Sequence, residues 1–143
     1  MGRHQRGVDR SRRVLLPAEW RAEGAPSRFM VLLWPPPNGQ FLLVLPPSRW
    51  EAMLQHLADV PLGDESGATI ERYISSNAFS KTLDAYGRLP LPEEVASLAG
   101  IKEAALLLGR LQKFEVWAPE QYRQRQETAF TQEVKDKFRT MRL

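Results

Sequence analysis

"LDAYGRLPLP", residues 83–92, decides how the chain is read. Asp84 and Gly87 carry turn chemistry: a short carboxylate accepts a hydrogen bond from the backbone two residues on, and glycine takes positive φ without steric cost. Leu89 and Leu91 then alternate like a half-buried strand, and Pro92 with Glu93 and Glu94 opens a helix. The pattern predicts a strand, a tight turn, a second strand and a short helix, with Arg88 at the mouth of the turn. "VDRSRRVLLP", residues 8–17, aligns with this stretch without a gap. Asp9 matches Asp84, Arg13 matches Arg88 and Pro17 matches Pro92, each 75 residues apart. Further on, "VLPPSRW" (44–50) faces "VWAPEQY" (116–122), with Pro47 against Pro119 and Trp50 against Tyr122 at a spacing of 72 residues. The surplus of the first copy falls in "WPPPNGQ" (34–40), a turn-forming run. A repeat of this length makes the chain two copies of one unit.

Composition bounds the rest. With 143 residues, 43% of them hydrophobic, the chain suits one compact domain or two small halves that lean on each other. The absence of cysteine excludes disulfides, thiolate zinc sites and thiol nucleophiles, and suits a reducing cytosol. No apolar run approaches the roughly 20 residues of a membrane helix, and no apolar stretch of signal-peptide type follows the basic N-terminus. A cytoplasmic protein is the expectation. The net charge is only +3, but residues 1–13 hold five arginines against one aspartate. The basic excess therefore lies around the first turn. Such an arm is either a solvated tail or the footprint of phosphate-backbone binding.

Both copies predict the same order: strand, turn, strand, short helix, strand pair, helix. In the second, "EEVASLAG" (93–100) is the short helix, and "EAALLLG" pairs with "QKFEVWA" across a turn at Gly109-Arg110-Leu111. Pro119 opens a last helix running through "PEQYRQRQETAFTQEVKDKF". In the first, "RFMVLLW" pairs with "FLLVL" around Asn38-Gly39, and "PPSRWEAMLQHL" forms a helix with Trp50, Met53, Leu54 and Leu57 on one face. "PLGDESG" (61–67) reads as a linker and "ATIERYI" as a helical turn. The expected organisation is a degenerate first module over 1–60, a linker over 61–75, a second module over 76–122 and a C-terminal helix over 123–143.

This order resembles the MraZ family, whose members contain two copies of the swapped-hairpin module shared with AbrB-type regulators. The residues that carry the resemblance are Leu83, Asp84, Gly87, Arg88, Leu89, Leu91 and Pro92, then Gly100-Ile101 and "KFEVW" (113–117). A weaker echo is Val8, Asp9, Arg13, Leu16 and Pro17. The resemblance implies a mainly β fold with short helices (α+β), in which tandem SpoVT/AbrB-like modules form a double-split β-barrel. It also implies a nucleoid-associated DNA-binding transcriptional regulator, acting as a repressor of the division and cell-wall gene cluster. Such a protein binds repeated double-stranded promoter sites and assembles into ring-like homo-oligomers. The paired Asp-x-x-x-Arg motif of the family falls on Asp9/Arg13 and Asp84/Arg88. One departure stands out: the glycine position of the first copy is Arg12, which is costly wherever φ must be positive.

Arg13 and Arg88 are the leading DNA-binding candidates, since an arginine reaches guanine bidentately or holds a phosphate. An Arg–Asp pair that merely pins a turn is the bland alternative, and the repetition together with the resemblance argues against it. Asp9, Asp84 and Gly87 are assigned to shaping the turns. Arg6 and Lys81 occupy matching positions ahead of the turns, and Arg3, Arg10 and Arg12 are auxiliary candidates. The second copy, with glycine in place, is expected to read bases through Arg88, and the first to supply backbone attraction through Arg13. No cofactor, metal or small-molecule substrate is expected: His4 and His56 show no ligand spacing. Enzyme chemistry has no support either, because Glu93 and Glu94 point different ways on a helix and Ser75-Ser76 lacks a nucleophile elbow. Two other roles remain open, an oligomeric protein-interaction scaffold and an antitoxin-like module, either having lost DNA binding.

Overall fold

The computed structural model describes residues 1–36 and 40–141. The first copy comprises β1 (Arg3–Gly7), β2 (Arg13–Leu15), a 3₁₀ turn at Ala18–Arg21, β3 (Arg28–Leu33), β4 (Leu42–Leu45) and α1 (Pro47–Ala58). A helix, α2 (Glu65–Asn77), leads into the second. There the same order returns as β5 (Ala78–Thr82), β6 (Arg88–Pro90), α3 (Glu93–Leu98), β7 (Ala104–Arg110), β8 (Lys113–Trp117) and α4 (Pro119–Ala129), with α5 (Gln132–Thr140) appended. The fold is mixed, mainly sheet with short helices.

Six strands form one antiparallel sheet in the order β1-β7-β8-β4-β3-β5, and β2 pairs with β6 in a separate ribbon. Under the repeat, β1 corresponds to β5, β3 to β7 and β4 to β8, so the strand order is a palindrome about the β4–β8 pair. Each copy sends its first strand to the other: β1 lies on β7 with Arg3 opposite Leu108, and β5 lies on β3 with Ala78 opposite Leu32. The sheet is open among the described residues, with β1 and β5 as its edges.

Alternation along the strands explains why both sheet faces are covered. Val31, Leu33, Leu42, Val44, Ala105, Leu107, Phe114 and Val116 face one way and pack with Val14, Leu16, Leu89 and Leu91 of the ribbon and with Val95 and Ala96 of α3. Phe41, Leu43, Leu45, Leu106 and Trp117 form a second cluster, against which Trp50, Met53 and Tyr122 of α1 and α4 pack. Among the described residues, Glu115 is the buried charge. Its two oxygens are satisfied, by Trp117 Nε1–H at 2.6 Å and Arg110 Nη1–H at 2.8 Å.

Three elements differ from their sequence readings. From Glu65 on, the segment read as linker and helical turn belongs to the 13-residue α2, which runs to Asn77 and is capped by the Asp64 carboxylate accepting from Gly67 N–H at 3.1 Å. The strands β7 and β8 stay paired to Arg110↔Lys113, and the chain reverses one residue later than expected, with Leu111 at φ +56°. The single C-terminal helix is two, because Thr131 takes extended backbone and accepts from Val134 N–H to start α5. The Asn38-Gly39 turn lies outside the described residues. Among those described, no helix is long and apolar enough to cross a membrane.

Candidate nucleic-acid interface

The site is built twice by one local rule. In the first copy the Asp9 Oδ1 accepts from the N–H groups of Ser11 and Arg13, both at 2.9 Å, and Oδ2 accepts from Arg13 Nε at 2.9 Å. In the second, the Asp84 Oδ1 accepts from Tyr86 and Arg88 N–H at 2.9 Å, and Oδ2 from Arg88 Nε at 2.7 Å. The backbone closes both loops alike: Arg12 N–H reaches Asp9 O at 2.9 Å, and Gly87 N–H reaches Asp84 O at 3.0 Å. Arg12 adopts φ +58° and Gly87 φ +82°. The arginine therefore takes the glycine's conformation and the turn keeps its shape.

The ribbon β2–β6 sets the two turns side by side, with Leu15 opposite Arg88 and Arg13 opposite Pro90. Beyond it, Leu16 N–H donates to Gly87 O at 3.2 Å and Leu91 N–H to Arg12 O at 2.8 Å, again a matched pair. The arginines cross over: Arg13 Nη1 lies 3.4 Å from Asp84 Oδ2, and Arg88 Nη1 lies 3.6 Å from Asp9 Oδ2. Two aspartates and two arginines thus form a neutral, half-buried quartet. The backbone N–H of Arg13 is the main cause holding the Asp9 carboxyl below its usual pKa; partial desolvation opposes it, and the Arg13 side chain and Ser11 N–H add to it. Asp84 is held down in the same way by Arg88 and Tyr86. The Nη2 groups of Arg13 and Arg88 donate no hydrogen bond among the described residues.

Around the quartet the candidates separate. Arg10 is exposed and unpaired among the described residues, and Arg12 pairs only with Glu93 at 3.3 Å on the surface. Arg6 lies close by, donating from Nε to Leu15 O at 3.2 Å. Arg3 projects from the opposite face of β1 and shares a shallow groove with Tyr122 and Arg123 of α4, away from the turns. Lys81 sits half-buried on β5 opposite Phe29. Two residues at the site escaped the sequence reading. Tyr86 is 73% exposed at the turn tip, with the Arg88 guanidinium carbon 5.1 Å from its ring centre. Arg21 donates from Nε to Leu16 O at 2.9 Å and lies over Gly87, where an added Cβ would meet its Cδ at 2.3 Å. Tyr86 stood in the quoted stretch, and an aromatic at the tip of a polar turn was the available signal. Arg21 had none.

The matched turns are accompanied by matches to known proteins. A family model described as "MraZ protein, putative antitoxin-like" fits residues 74–143, the copy with the intact turn. A protein named transcriptional regulator MraZ from Symbiobacterium thermophilum is 30% identical over 129 residues, covering 90% of this chain and 91% of its own. The chain belongs to the MraZ family. Proteins of the same name from Leuconostoc mesenteroides and a Marinomonas species are 25% and 28% identical, over 96% and 97% of this chain and 90% and 93% of their own. These alignments span both copies, so the similarity includes the degenerate first turn.

Proposed function

We propose that the protein is a sequence-specific DNA-binding transcriptional regulator, a repressor of the division and cell-wall gene cluster, that grips repeated promoter sites with its paired turns. The observation that supports this most is the quartet. It fixes two arginines side by side on a rigid ribbon, each with an Nη2 group that donates no hydrogen bond among the described residues, and rings them with Arg6, Arg10 and Arg12. Buttressed arginines suit bidentate recognition because their geometry is set before the ligand arrives. The names of the relatives agree with regulation of transcription. On this reading residues 1–60 and 76–122 are the two modules, joined through 61–75 and followed by 123–143, and the exchanged strands with the β2–β6 ribbon make the double-split barrel of the family. One chain offers few base contacts, so a ring-like homo-oligomer supplies affinity by presenting many turn pairs to repeated sites.

A second reading, a protein-interaction scaffold or antitoxin-like module, draws on the neutrality of the quartet: each arginine already has two carboxylate partners. Anisotropy titrations with the DNA upstream of the protein's own gene separate the two. DNA binding predicts a log affinity that falls with log salt by about 0.9 for each phosphate contacted, and discrimination against scrambled DNA. No binding, or a flat salt response, supports the second reading instead.

A further inference from the structure

Two apolar surfaces have no partner among the described residues, and they have opposite shapes. The first is a groove of about 540 Å³ between α1 and α2 at the end of β3. Trp34, Met53, Leu57, Ile70, Tyr73 and Ile74 give it almost wholly apolar walls. The second is a ridge. Val134 and Phe138 lie four residues apart on α5, Phe130 and Met141 flank its two ends, and all four are exposed. In the repeat, α5 follows α4 as α2 follows α1. The counterpart α2 packs back on its own copy, burying Ile74 and donating from Tyr73 Oη to Leu33 O at 2.6 Å. No residue of α5 is buried.

Charge favours a match between the two. The stretch 59–72, which contributes Val60, Thr69 and Ile70 to the groove lining, carries Asp59, Asp64, Glu65 and Glu71 against Arg72, all exposed. Exposed Lys135, Lys137 and Arg139 outnumber Glu133 and Asp136 on α5. The chain's own helix leaves its own groove open: α4 packs on β7, three strands across the sheet from β3, and only Phe130 and Thr131 separate α4 from α5.

We propose that α5 of one copy docks its apolar face into the α1–α2 groove of a second copy of this chain. The contact is head to tail, and a heterologous contact of this kind closes into a ring or runs on as a filament. It rests on the assembly reading above and names the surface that carries it.

The chain has no cysteine, so disulfide trapping reads the contact cleanly. Ile70→Cys and Phe138→Cys are made singly and together at positions 50% and 54% exposed, and circular dichroism checks that each variant is folded. Under mild oxidation the double variant is expected to give a reductant-sensitive ladder of dimers, trimers and higher species, while neither single variant cross-links. An internally bridged monomer places α5 in its own groove and overturns the proposal. Dimers formed equally by a single variant show a symmetric contact and overturn it too, as does the absence of any bridge. Light scattering of the wild-type chain separates the failures. An oligomeric wild type without the bridge refutes this contact and leaves assembly standing; a monomeric wild type refutes both.

Discussion

Arg12 is held at φ +58°, a conformation that costs a side chain with a Cβ roughly 1–2 kcal/mol. Its exposed pair with Glu93 at 3.3 Å returns at most about 1 kcal/mol. Gly87 fills the equivalent place for two reasons, its φ of +82° and the Arg21 side chain lying directly over it. The position 75 residues on from Arg21 is Ala96, a single methyl, so the repeat does not build the same cover for the first turn. Fold stability alone therefore tolerates glycine at 12 and not alanine at 87. Arg12→Gly is expected to stay within about 1 kcal/mol of the parent in urea unfolding, losing the surface pair while relieving backbone strain. Gly87→Ala is expected to lose about 1–2 kcal/mol or more, because it adds the strain and displaces Arg21 from Leu16 O. Equal losses in the two variants would refute this account. If Arg12→Gly is harmless to the fold but weakens DNA binding, the strained arginine is retained for its charge.

The ribbon β2–β6 depends on four side chains, and their titration gives it a pH signature. Asp9 and Asp84 both have folded pKa values below the ordinary 3.8. A depressed carboxylate contributes stability that is complete above its unfolded pKa and is lost as pH falls through the lower folded value. Stability is therefore expected to decline steeply as pH drops below about 4, and an Asp9→Asn/Asp84→Asn variant should flatten that decline and start from lower stability at pH 7. Urea midpoints between pH 7 and 2.5 check both. The offset of the repeat gave away the location of these turns, since Asp, Arg and Pro recur at one spacing; their cross-pairing depends on strands brought together from distant sequence, which no local pattern encodes. Elements misread from sequence have similar physical causes. Gly67 ends the run read as a linker, yet an added Cβ there would meet Val60 Cγ1 at 2.2 Å, so the glycine permits close packing of α2. Thr131 ahead of Gln132 and Glu133 is a capping signal that splits the last helix, and the apolar periodicity running through it masked the break.

At the scale of the molecule, the palindromic strand order treats the two copies as equals, which bears on how the proposed DNA contact would be shared between them. The expectation that Arg88 reads bases and Arg13 only attracts the backbone rested on the glycine of the second turn. Arg12 reproduces that turn, and each arginine is held by matching hydrogen bonds and crossed ion pairs. The geometric ground for dividing the labour is absent. What still differs is the tip, Tyr86 in one copy where the other has Ser11, and the extra charge of Arg10 and Arg12. Lysine keeps the charge that neutralises the aspartates but lacks the planar fork needed for a bidentate base contact. Arg13→Lys and Arg88→Lys are therefore both expected to stay folded and to lower the operator-to-scrambled affinity ratio by similar factors. A bidentate pair with a base is worth about 1–3 kcal/mol of discrimination, so each variant should lower the ratio by a factor of roughly 5 to 150. Arg10→Ala should weaken both DNAs alike and reduce the salt slope by about 1. Measured on both DNAs at two salt concentrations, a ratio that collapses in one lysine variant and not the other would show that the chain uses its pseudo-equivalent turns unequally, with Tyr86 beside Arg88 as the first asymmetry to remove.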